Sequence, residues 1–431
     1  MQEQPILEKV EQQEDYPLRA VPPEMRKSFW SLAPILVGFT LYSGTLFAGG
    51  LVGPAFRFFP DLIGVILIGN LILGIYAALL GYIAGETGLN TVLMARFSFG
   101  NIGSRWVDFI LGFTQVAWYA WGSGLIADLL NQTIGFPKSL NWLLIVVVTY
   151  GFCITAYFGY NALDWLSRIA VPAIVVLMLW SLAISTGEVG GFSGLQAQEI
   201  APQAEMPLSA AITLIVGTFI SGGTQATNWS RFARSGKMAA IATLLAFFLG
   251  NGFLIFSGAY SSLAYGDSDI VKVMMKQGLL VWGLILFVLN MWTTQDNTMY
   301  AFSVAGSHAF RTEKRHLLVL GGTTLALALT LGGIYGSQFV NFLVLLGTFI
   351  PPIGGIIMAN YWLGHRGQFP SLDEVQPPFN WIGILSYIAA SAIAYYTPGI
   401  KPINGIIAAV IIYFVLEKVM GQKEQGMKNK E

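Results

Sequence analysis

Charged residues are scarce in this chain of 431 residues. Lys and Arg number 23, Asp and Glu also number 23, and together they are 11% of the chain, against roughly 25% in an average soluble domain. A soluble protein with so few charges would expose large apolar patches and aggregate. Because the two signs cancel, no net field attracts nucleic acid. The composition therefore argues against soluble globular, disordered and nucleic-acid-binding proteins.

Residues that build disulfides and metal centres are also rare. The single cysteine, Cys153, cannot form an intramolecular disulfide, and the three histidines, His308, His316 and His365, are too scattered for a metal-binding pattern. The sequence also lacks a Walker loop, a dinucleotide fingerprint, a nucleophile elbow and a His-Glu-x-x-His motif. We therefore expect no cofactor and no enzymatic activity, and ATP-driven transport by this chain alone has no support.

Apolar residues, by contrast, are abundant: 55% of the chain is hydrophobic and the mean hydropathy is +0.62. A membrane-crossing helix needs about 20 apolar residues, and stretches of that length recur twelve times. They lack the alternation of a barrel strand. The sequence thus predicts an all-α integral membrane protein with twelve transmembrane helices at about 29–54, 61–86, 103–133, 139–159, 164–186, 208–230, 237–266, 280–306, 316–333, 335–360, 379–397 and 402–420.

The distribution of Lys and Arg predicts the orientation of these helices. With the N-terminus inside, eighteen of the 23 basic residues fall in cytoplasmic stretches, as the positive-inside rule requires. Residues 1–28 are polar, and acidic residues precede any apolar run, so we expect a mobile cytoplasmic tail and not a signal peptide. Residues 421–431 are expected to form a second, solvated cytoplasmic tail.

Segments one and six share a pattern of glycines. Val37-Gly38 and Val216-Gly217 each stand near mid-span, 179 residues apart, and each pair precedes an aromatic and hydroxyl-bearing stretch that ends in Gly. Segment six is the fifth segment after segment one, so two five-helix units, 29–186 and 208–360, would have opposite orientations, with two more helices in 379–420. Matched interruptions in an inverted repeat indicate a transporter whose site lies between unwound half-helices. Close helix packing at glycine is the alternative, and the match between the halves favours unwinding.

Segments three and six carry residues suited to a flat heterocycle. Gln115 and Trp118 are three residues apart and share a helix face. An amide in mid-membrane is costly unless it makes a hydrogen bond. Because Gln115 lies beside the Trp118 indole, its amide suits the edge of a flat ring that stacks on the indole. Phe219 could supply the opposite face, and Ser221 another polar contact. Bonding between helices is the alternative role for Gln115.

Segment eight carries a stripe of polar side chains. Four of them recur at i, i+3, i+4 and i+7 on one helix face: Asn290, Thr293, Thr294 and Asn297. Hydroxyls together with the backbone carbonyls of an unwound helix provide neutral oxygen ligands, which suit Na⁺. Asp296 lies off this stripe. It is either an ion ligand or proton carrier or a residue bonded to a neighbouring helix, and the sequence favours the second.

With these residues, the chain resembles the nucleobase:cation symporter-1 family, and within it the bacterial cytosine permeases. The resemblance begins at about residue 29 and covers almost all of the chain. It is carried by several motifs together: IGNLILGIY at 68–76, ARFSFG at 95–100, the stretch 115–118, Phe-Ile-Ser at 219–221, the stretch 290–297 and IPPIGG at 350–355.

The resemblance implies a leucine-transporter-type fold of ten helices in two inverted five-helix repeats, followed by two C-terminal helices. It also implies two sets of site residues. The substrate set is Tyr42, Gln115, Trp118, Phe219, Ser221 and Gln295. The sodium set is Gly38, Leu41, Asn290, Thr293 and Thr294, with the first three contributing backbone carbonyls.

Three positions depart from the cytosine permeases, which have Asn at Gln295, Phe at Tyr42 and Asp at Asn228. The expected function is import of cytosine, or of a related nucleobase or planar heterocycle, with Na⁺ by alternating access in the bacterial cytoplasmic membrane. The expected partners are this small molecule, Na⁺ and the bilayer, without nucleic acid. Alternatives are the same fold with another substrate (a pyrimidine vitamin precursor, a purine or an amino acid), coupling to H⁺, or a receptor or assembly factor that transports nothing.

Overall fold

In the computed structural model, the described part of the chain comprises residues 16, 18–158, 160–198, 205–312, 314–333, 338–374 and 376–428. Its regular structure is helical, apart from an isolated bridge between Lys27 and Ala233. The helices of the first half are α1 (Phe29–Thr40), α2 (Ser43–Val52), α3 (Ile63–Thr87), α4 (Thr91–Phe99), α5 (Ser104–Ile134), α6 (Asn141–Phe158), α7 (Tyr160–Glu188) and α8 (Phe192–Gln196).

The second half continues the helical pattern. Its helices are α9 (Leu208–Gln225), α10 (Thr227–Ser230), α11 (Gly236–Ala246), α12 (Phe253–Tyr265), α13 (Ile270–Lys276), α14 (Leu280–Phe310), α15 (Arg315–Leu331), α16 (Phe339–Phe349), α17 (Pro351–Ala359), α18 (Trp381–Tyr396) and α19 (Lys401–Lys428). A π-helical stretch, Phe247–Gly252, joins α11 to α12, and two others lie at Phe58–Leu62 and Asn360–Gly364.

Each of the twelve predicted segments contains a helix. Among the described residues, six helices are long and apolar enough to cross a membrane, or seven when the bent pair α1 and α2 counts as one span. Helices α5 and α14 have 31 residues each, about 46 Å at 1.5 Å per residue, but polar residues lower their hydropathy. The chain is thus a multi-pass helical membrane protein, and the number twelve stays a prediction.

Segment one is broken, as its glycine pattern predicts. Helix α1 ends at Thr40, α2 begins at Ser43, and their axes differ by 54°. The break falls at Leu41 and Tyr42, so Gly38 itself is still helical. We refer to α1, the break and α2 together as helix one.

Segment six is not unwound where the sequence predicts it. Helix α9 is continuous from Leu208 through Gly217 and Phe219 to Gln225, and its only interruption before α10 is Ala226, whose φ of −55° and ψ of −20° remain near helical values. The expectation of two matched broken helices is therefore wrong for segment six. Its glycines allow close packing instead, because a Cβ on Gly217 would lie 2.2 Å from the carbonyl oxygen of Leu343.

The helices pack in two groups that meet at the break. In the first group, α11 lies against α1 and α3, α12 lies against α2, and α9 lies against α3. In the second group, α14 packs against α5 and α7, and α15 packs against α5 and α6. Glycine permits the closest approach: a Cβ on Gly49 would lie 2.2 Å from the Ile255 carbonyl oxygen, and one on Gly258 would lie 2.0 Å from that of Leu46.

Both predicted tails are more structured than the sequence suggests. Residues 1–15, 17 and 429–431 lie outside the described residues, but Val21 is buried and its amide donates to the Gly88 carbonyl at 3.0 Å. The Lys27 amide donates to the Phe232 carbonyl at 2.6 Å. This part of the N-terminal stretch is therefore held against the ends of α3 and α10. At the other terminus, α19 runs beyond the predicted span to Lys428.

Candidate functional site

A small, partly open cavity lies where helix one, α5, α9 and α14 meet. Its empty volume is about 330 Å³, and none of the described residues that line it carries a charge. The lining residues are Phe39, Tyr42, Gln115, Trp118, Thr218, Phe219, Ser221, Gly222, Thr294, Asn297 and Thr298. An uncharged wall deep between transmembrane helices suits a small neutral ligand, because an ion would lose its hydration there without a partner.

Three aromatic rings shape this cavity. Tyr42 meets Trp118 edge to face, with ring centroids 5.2 Å apart and planes at 83°, and it approaches Phe219 at 6.1 Å and 67°. Tyr42 therefore contacts both residues that are predicted to sandwich the substrate. Glycines leave room for two of these rings: a Cβ on Gly44 would lie 2.5 Å from the Tyr42 ring, and one on Gly222 would lie 2.4 Å from the Phe219 ring.

Three polar groups on the wall are available to a ligand. The side chains of Tyr42, Gln115 and Ser221 are 4%, 6% and 1% exposed, and they make no side-chain hydrogen bond within the described part of the chain. These polar atoms are not among the buried unpaired atoms of the described residues, so they face the cavity. A ligand that enters can bond them, and the wall can therefore recognise the polar edge of a planar molecule.

Gln295, the sixth residue of the predicted substrate set, lies elsewhere. It is 2% exposed, and its Nε2 donates to the Tyr119 carbonyl of α5 at 2.8 Å. The missing side chain of Gly122 makes this position possible, because a Cβ there would lie 2.4 Å from that nitrogen. Gln295 is not among the described residues that line the cavity. The structure thus brings together five of the six predicted substrate residues.

The predicted sodium residues cluster at the break in helix one. Asn290 donates from Nδ2 to the Leu41 carbonyl at 2.7 Å, and its own carbonyl accepts the hydroxyls of Thr293 and Thr294 at 2.8 and 2.9 Å. Gly38 is in the last turn of α1. The Tyr42 amide, which a continuous helix would direct at the Gly38 carbonyl, donates to Thr40 at 3.0 Å instead.

These groups form a set of neutral oxygens of the kind that a monovalent cation accepts. Thr294 belongs to this set and also lines the cavity, while Tyr42 follows Leu41 directly, so the two predicted sites are contiguous. No cluster of three or more His, Cys, Asp or Glu side chains suited to a metal occurs among the residues that the structure describes.

The sequence interpretation missed part of the cavity wall. Phe39, Thr218, Asn297 and Thr298 line it as well. Asn297 lay on the polar stripe of segment eight, and Thr298 follows Thr294 by four residues, so the same helical spacing could have found both. Phe39 and Thr218 carry no comparable signal, because an aromatic and a threonine in apolar helices are ordinary packing residues.

Asp296 faces away from the cation oxygens. Thr155 of α6 donates its hydroxyl to both carboxylate oxygens, at 2.7 and 2.6 Å, and accepts a bond from the Trp292 indole at 2.8 Å. The carboxylate is fully buried. This arrangement agrees with the favoured interpretation of Asp296 as a residue bonded to a neighbouring helix.

Comparisons with known proteins agree with one another. Residues 20–421 match the family model described as "Permease for cytosine/purines, uracil, thiamine, allantoin". The chain is 36% identical over 406 residues to the cytosine permease of Escherichia coli strain K12, covering 94% of both chains. It is 22% identical over 372 residues to the hydantoin permease of Microbacterium maritypicum, covering 76% of this chain and 73% of the relative.

A solved structure gives the same fold. A nucleobase-cation-symport-1 family transporter in a closed conformation with bromovinylhydantoin bound superposes with a TM-score of 0.81 at 19% identity, covering 94% of this chain and 95% of that one. The relatives are permeases, and the chain is a transporter and not an enzyme. It belongs to the nucleobase:cation symporter-1 family, the permeases for cytosine, purines, uracil, thiamine and allantoin.

Proposed function

We propose that this chain imports an uncharged nucleobase, or a planar heterocycle of similar shape, across the bacterial cytoplasmic membrane. The observation that carries the proposal is the buried Gln115 amide, which has no hydrogen-bond partner among the described side chains and backbone groups and lines the cavity with Trp118. A flat ring would stack on the indole while its polar edge satisfies the amide. Phe219 would close the opposite face and Ser221 would add a hydroxyl.

Cytosine is the first substrate to test. The E. coli relative is named a cytosine permease and shares 36% of its residues with this chain. Gln295 is one methylene longer than the Asn expected in a cytosine permease, but it bonds to the α5 backbone beside Gly122. Its length is therefore accommodated between the helices without reducing the cavity. The hydroxyl of Tyr42 adds a polar group to the wall and could shift the preference towards another base.

Sodium is the coupling ion that the oxygen cluster supports. The carbonyls of Gly38, Leu41 and Asn290 and the hydroxyls of Thr293 and Thr294 would hold Na⁺ at the break. Because this cluster touches the cavity through Thr294, bound Na⁺ would raise the affinity for the base, and the base would raise the affinity for Na⁺ by the same factor.

Coupling to H⁺ is the second candidate. Asp108 of α5 and His308 of α14 form a fully buried pair 2.5 Å apart, and the buried Asp296 accepts from the partly buried Thr155. Intramembrane acids of this kind carry protons in other transporters. The pair lies on the same two helices as Gln115 and Thr298, seven and ten residues from them, but neither Asp108 nor His308 lines the cavity. Its two members bond each other, which favours a structural role and leaves Na⁺ as the primary proposal.

Transport would proceed by alternating access. The group formed by helix one, α3, α9, α11 and α12 would rock against the group formed by α5, α6, α14 and α15, with the site between them. Tyr42, in contact with both Trp118 and Phe219, would have to move as the base enters. Both termini are proposed to face the cytoplasm.

The test is uptake of labelled cytosine by cells that lack their own permease, in Na⁺ or in K⁺ medium, with unlabelled bases as competitors. Sodium-dependent uptake that cytosine blocks is the expected result. If a well-expressed protein gives no uptake of any tested base, the proposed substrate class is wrong. Equal uptake in both media, together with dependence on a pH gradient, would favour H⁺.

Two variants connect the result to the site. Trp118→Ala should abolish binding of the base, because it removes the stacking surface, and normal affinity in that variant would overturn the stacking site. The double change of Thr293→Ala and Thr294→Ala should abolish the sodium dependence. Unchanged dependence in the double variant would place the ion elsewhere.

A further inference from the structure

The break in helix one is bridged by one side chain from the opposite helix group. The carboxamide of Asn290, in α14, donates from Nδ2 to the Leu41 carbonyl at 2.7 Å. Its Oδ1 accepts the Ser43 amide at 3.0 Å and the Ser43 hydroxyl. Asn290 is fully buried. A single carboxamide thus bonds the residue at the end of α1 and the first residue of α2.

These bonds replace hydrogen bonds that a continuous helix would make. Breaking a helix inside a membrane exposes backbone amides and carbonyls that lipid cannot satisfy. An asparagine carboxamide has both a donor and an acceptor, so it can serve a carbonyl before the break and an amide after it. The distances show that Asn290 does both at once.

A second anchor holds the α1 side of the break to its own helix group. The Thr40 hydroxyl donates to the Ala246 carbonyl at 2.7 Å, where α11 passes into the π-helical stretch Phe247–Gly252. A Cβ on Gly250 would lie 2.0 Å from this hydroxyl, so glycine is needed for the contact. Helix one is therefore fixed to α11 by Thr40 and linked to α14 by Asn290.

We propose that Asn290 is a positioning residue for the cation site. Its carboxamide orients the Leu41 carbonyl and thereby makes cation binding depend on how the two helix groups are placed relative to each other. This inference rests on the proposed sodium coupling. The carbonyl of Leu41 has two lone pairs, so it can accept the Asn290 bond and still face a cation. The Asn290 backbone carbonyl, between the Thr293 and Thr294 hydroxyls, fixes the other oxygens of the cluster relative to the same residue.

The change that tests this inference is Asn290→Ala, which removes the carboxamide and leaves the backbone carbonyl. Because the Leu41 carbonyl would lose the bond that orients it, the half-saturating Na⁺ concentration should rise roughly tenfold to a hundredfold, equivalent to about 1.4–2.7 kcal/mol. Because the carboxamide does not line the cavity, the KM for the base at saturating Na⁺ should stay within about threefold. The measurement is uptake into proteoliposomes across a Na⁺ titration.

Two further variants keep the test decisive. Ser43→Ala removes the hydroxyl bond but keeps the backbone amide, so a rise of only a few-fold in the sodium constant is expected, even if Asn290→Ala does not fold. Asn360→Ala is the matched control. Asn360 is equally buried, donates to the Ser98 hydroxyl and accepts from Tyr413, each at 3.0 Å, in a region remote from the break. Its sodium constant should equal that of the unaltered protein.

The outcomes separate the inference from the proposed function. If the unaltered protein transports without Na⁺, sodium coupling fails and the inference fails with it. If the unaltered protein depends on Na⁺ but Asn290→Ala and Ser43→Ala keep the normal sodium constant, the inference alone is overturned. An equal rise of the sodium constant and the KM for the base would show general damage to the site and would also overturn it.

Discussion

Helix one and α9 begin from similar sequences and end in different structures. Both carry a Val-Gly pair, an aromatic residue, a hydroxyl and a further glycine, yet helix one bends by 54° at Leu41 while α9 is continuous to Gln225. In helix one, the groups that the break frees have partners from other helices: Asn290 bonds Leu41 and Ser43. A break therefore forms where a partner side chain can replace the lost backbone bonds.

The glycines of α9 serve packing. Gly217 lets the backbone of α16 approach, with Leu343 at 2.2 Å from a hypothetical Cβ, and Gly222 makes room for the Phe219 ring. A glycine pair permits both outcomes, because it weakens a helix and also allows close contact. What distinguishes the two helices is therefore the surroundings of the glycines, and the following changes test that conclusion.

The largest effect is expected for Gly217→Ala. A methyl group 2.2 Å from the Leu343 carbonyl oxygen cannot be accommodated without moving a backbone, and overpacking costs about 1–3 kcal/mol or more. The thermal midpoint of the purified protein in detergent should fall by several degrees, with loss of transport. Gly38→Ala is the matched change in helix one, where the nearest atom, on Val171, would be 3.5 Å away. If both variants melt alike, packing does not distinguish the two glycines.

A smaller effect is expected for Phe219→Ala. The ring lines the cavity and contacts Phe39 and Phe247 at 5.0 and 5.6 Å. Losing one face of the aromatic sandwich should raise the KM for the base roughly tenfold to a hundredfold, because stacking on an aromatic ring contributes about 1–3 kcal/mol, while the sodium constant changes much less. The measurement is uptake against base concentration at saturating Na⁺. An unchanged KM would mean that the Phe219 ring does not contact the substrate.

Sequence patterns predicted the parts of this protein that depend on local composition. The apolar segments, the break in helix one and the convergence of Gln115 and Trp118 follow from length, glycine placement and helical spacing. The continuity of α9 could not be predicted, because the use of Gly217 for packing is visible only from its neighbour Leu343, 126 residues further along the chain. The position of Val21 likewise involves the Gly88 carbonyl, to which its amide donates. Nothing in the sequence pattern pairs these two residues.

Gln295 shows the same limit at the candidate site. Its position in the polar stretch of segment eight and the resemblance both pointed to the substrate. The structure directs it to the Tyr119 carbonyl, because Gly122 leaves a space on α5 that accepts its longer side chain. A residue's helical face is readable from its own segment, but the space available to it is set by the opposite helix.

A modest effect is expected for Tyr42→Phe. This change removes the hydroxyl of a residue in the break of helix one and keeps its aromatic ring. The ring would keep its edge-to-face contact with Trp118 and its place over Gly44, so stability should not change. Only a hydroxyl on the cavity wall is lost. We expect a change of up to about tenfold in the relative affinity for different bases, since one neutral hydrogen bond is worth about 1 kcal/mol. Competition curves with a panel of bases measure it, and identical curves would exclude the hydroxyl from recognition.

The smallest effect is expected at the carboxylate of Asp267, in the connection after α12, and it gives the baseline for the comparison. Partial burial opposes ionisation there, but the Asp269 amide at 3.1 Å and the Lys276 ammonium at 3.1 Å outweigh it and lower the pKa of the Asp267 carboxyl. A lowered folded-state pKa stabilises the protein above the unfolded value near 4 and is lost as the pH falls through the folded value.

Asp267→Asn should therefore lower stability by less than about 1 kcal/mol at neutral pH, because the pair is partly exposed and screened. Thermal midpoints of the two proteins between pH 3 and pH 8 should differ by a constant amount above about pH 5 and converge towards pH 3. A difference that grows as the pH falls would have the wrong sign for a lowered pKa. The Asp267 carboxylate bonds the Asp269 amide and Lys276, so its loss measures a partly exposed polar contact and gives the scale against which the larger losses in Gly217→Ala and Phe219→Ala are compared.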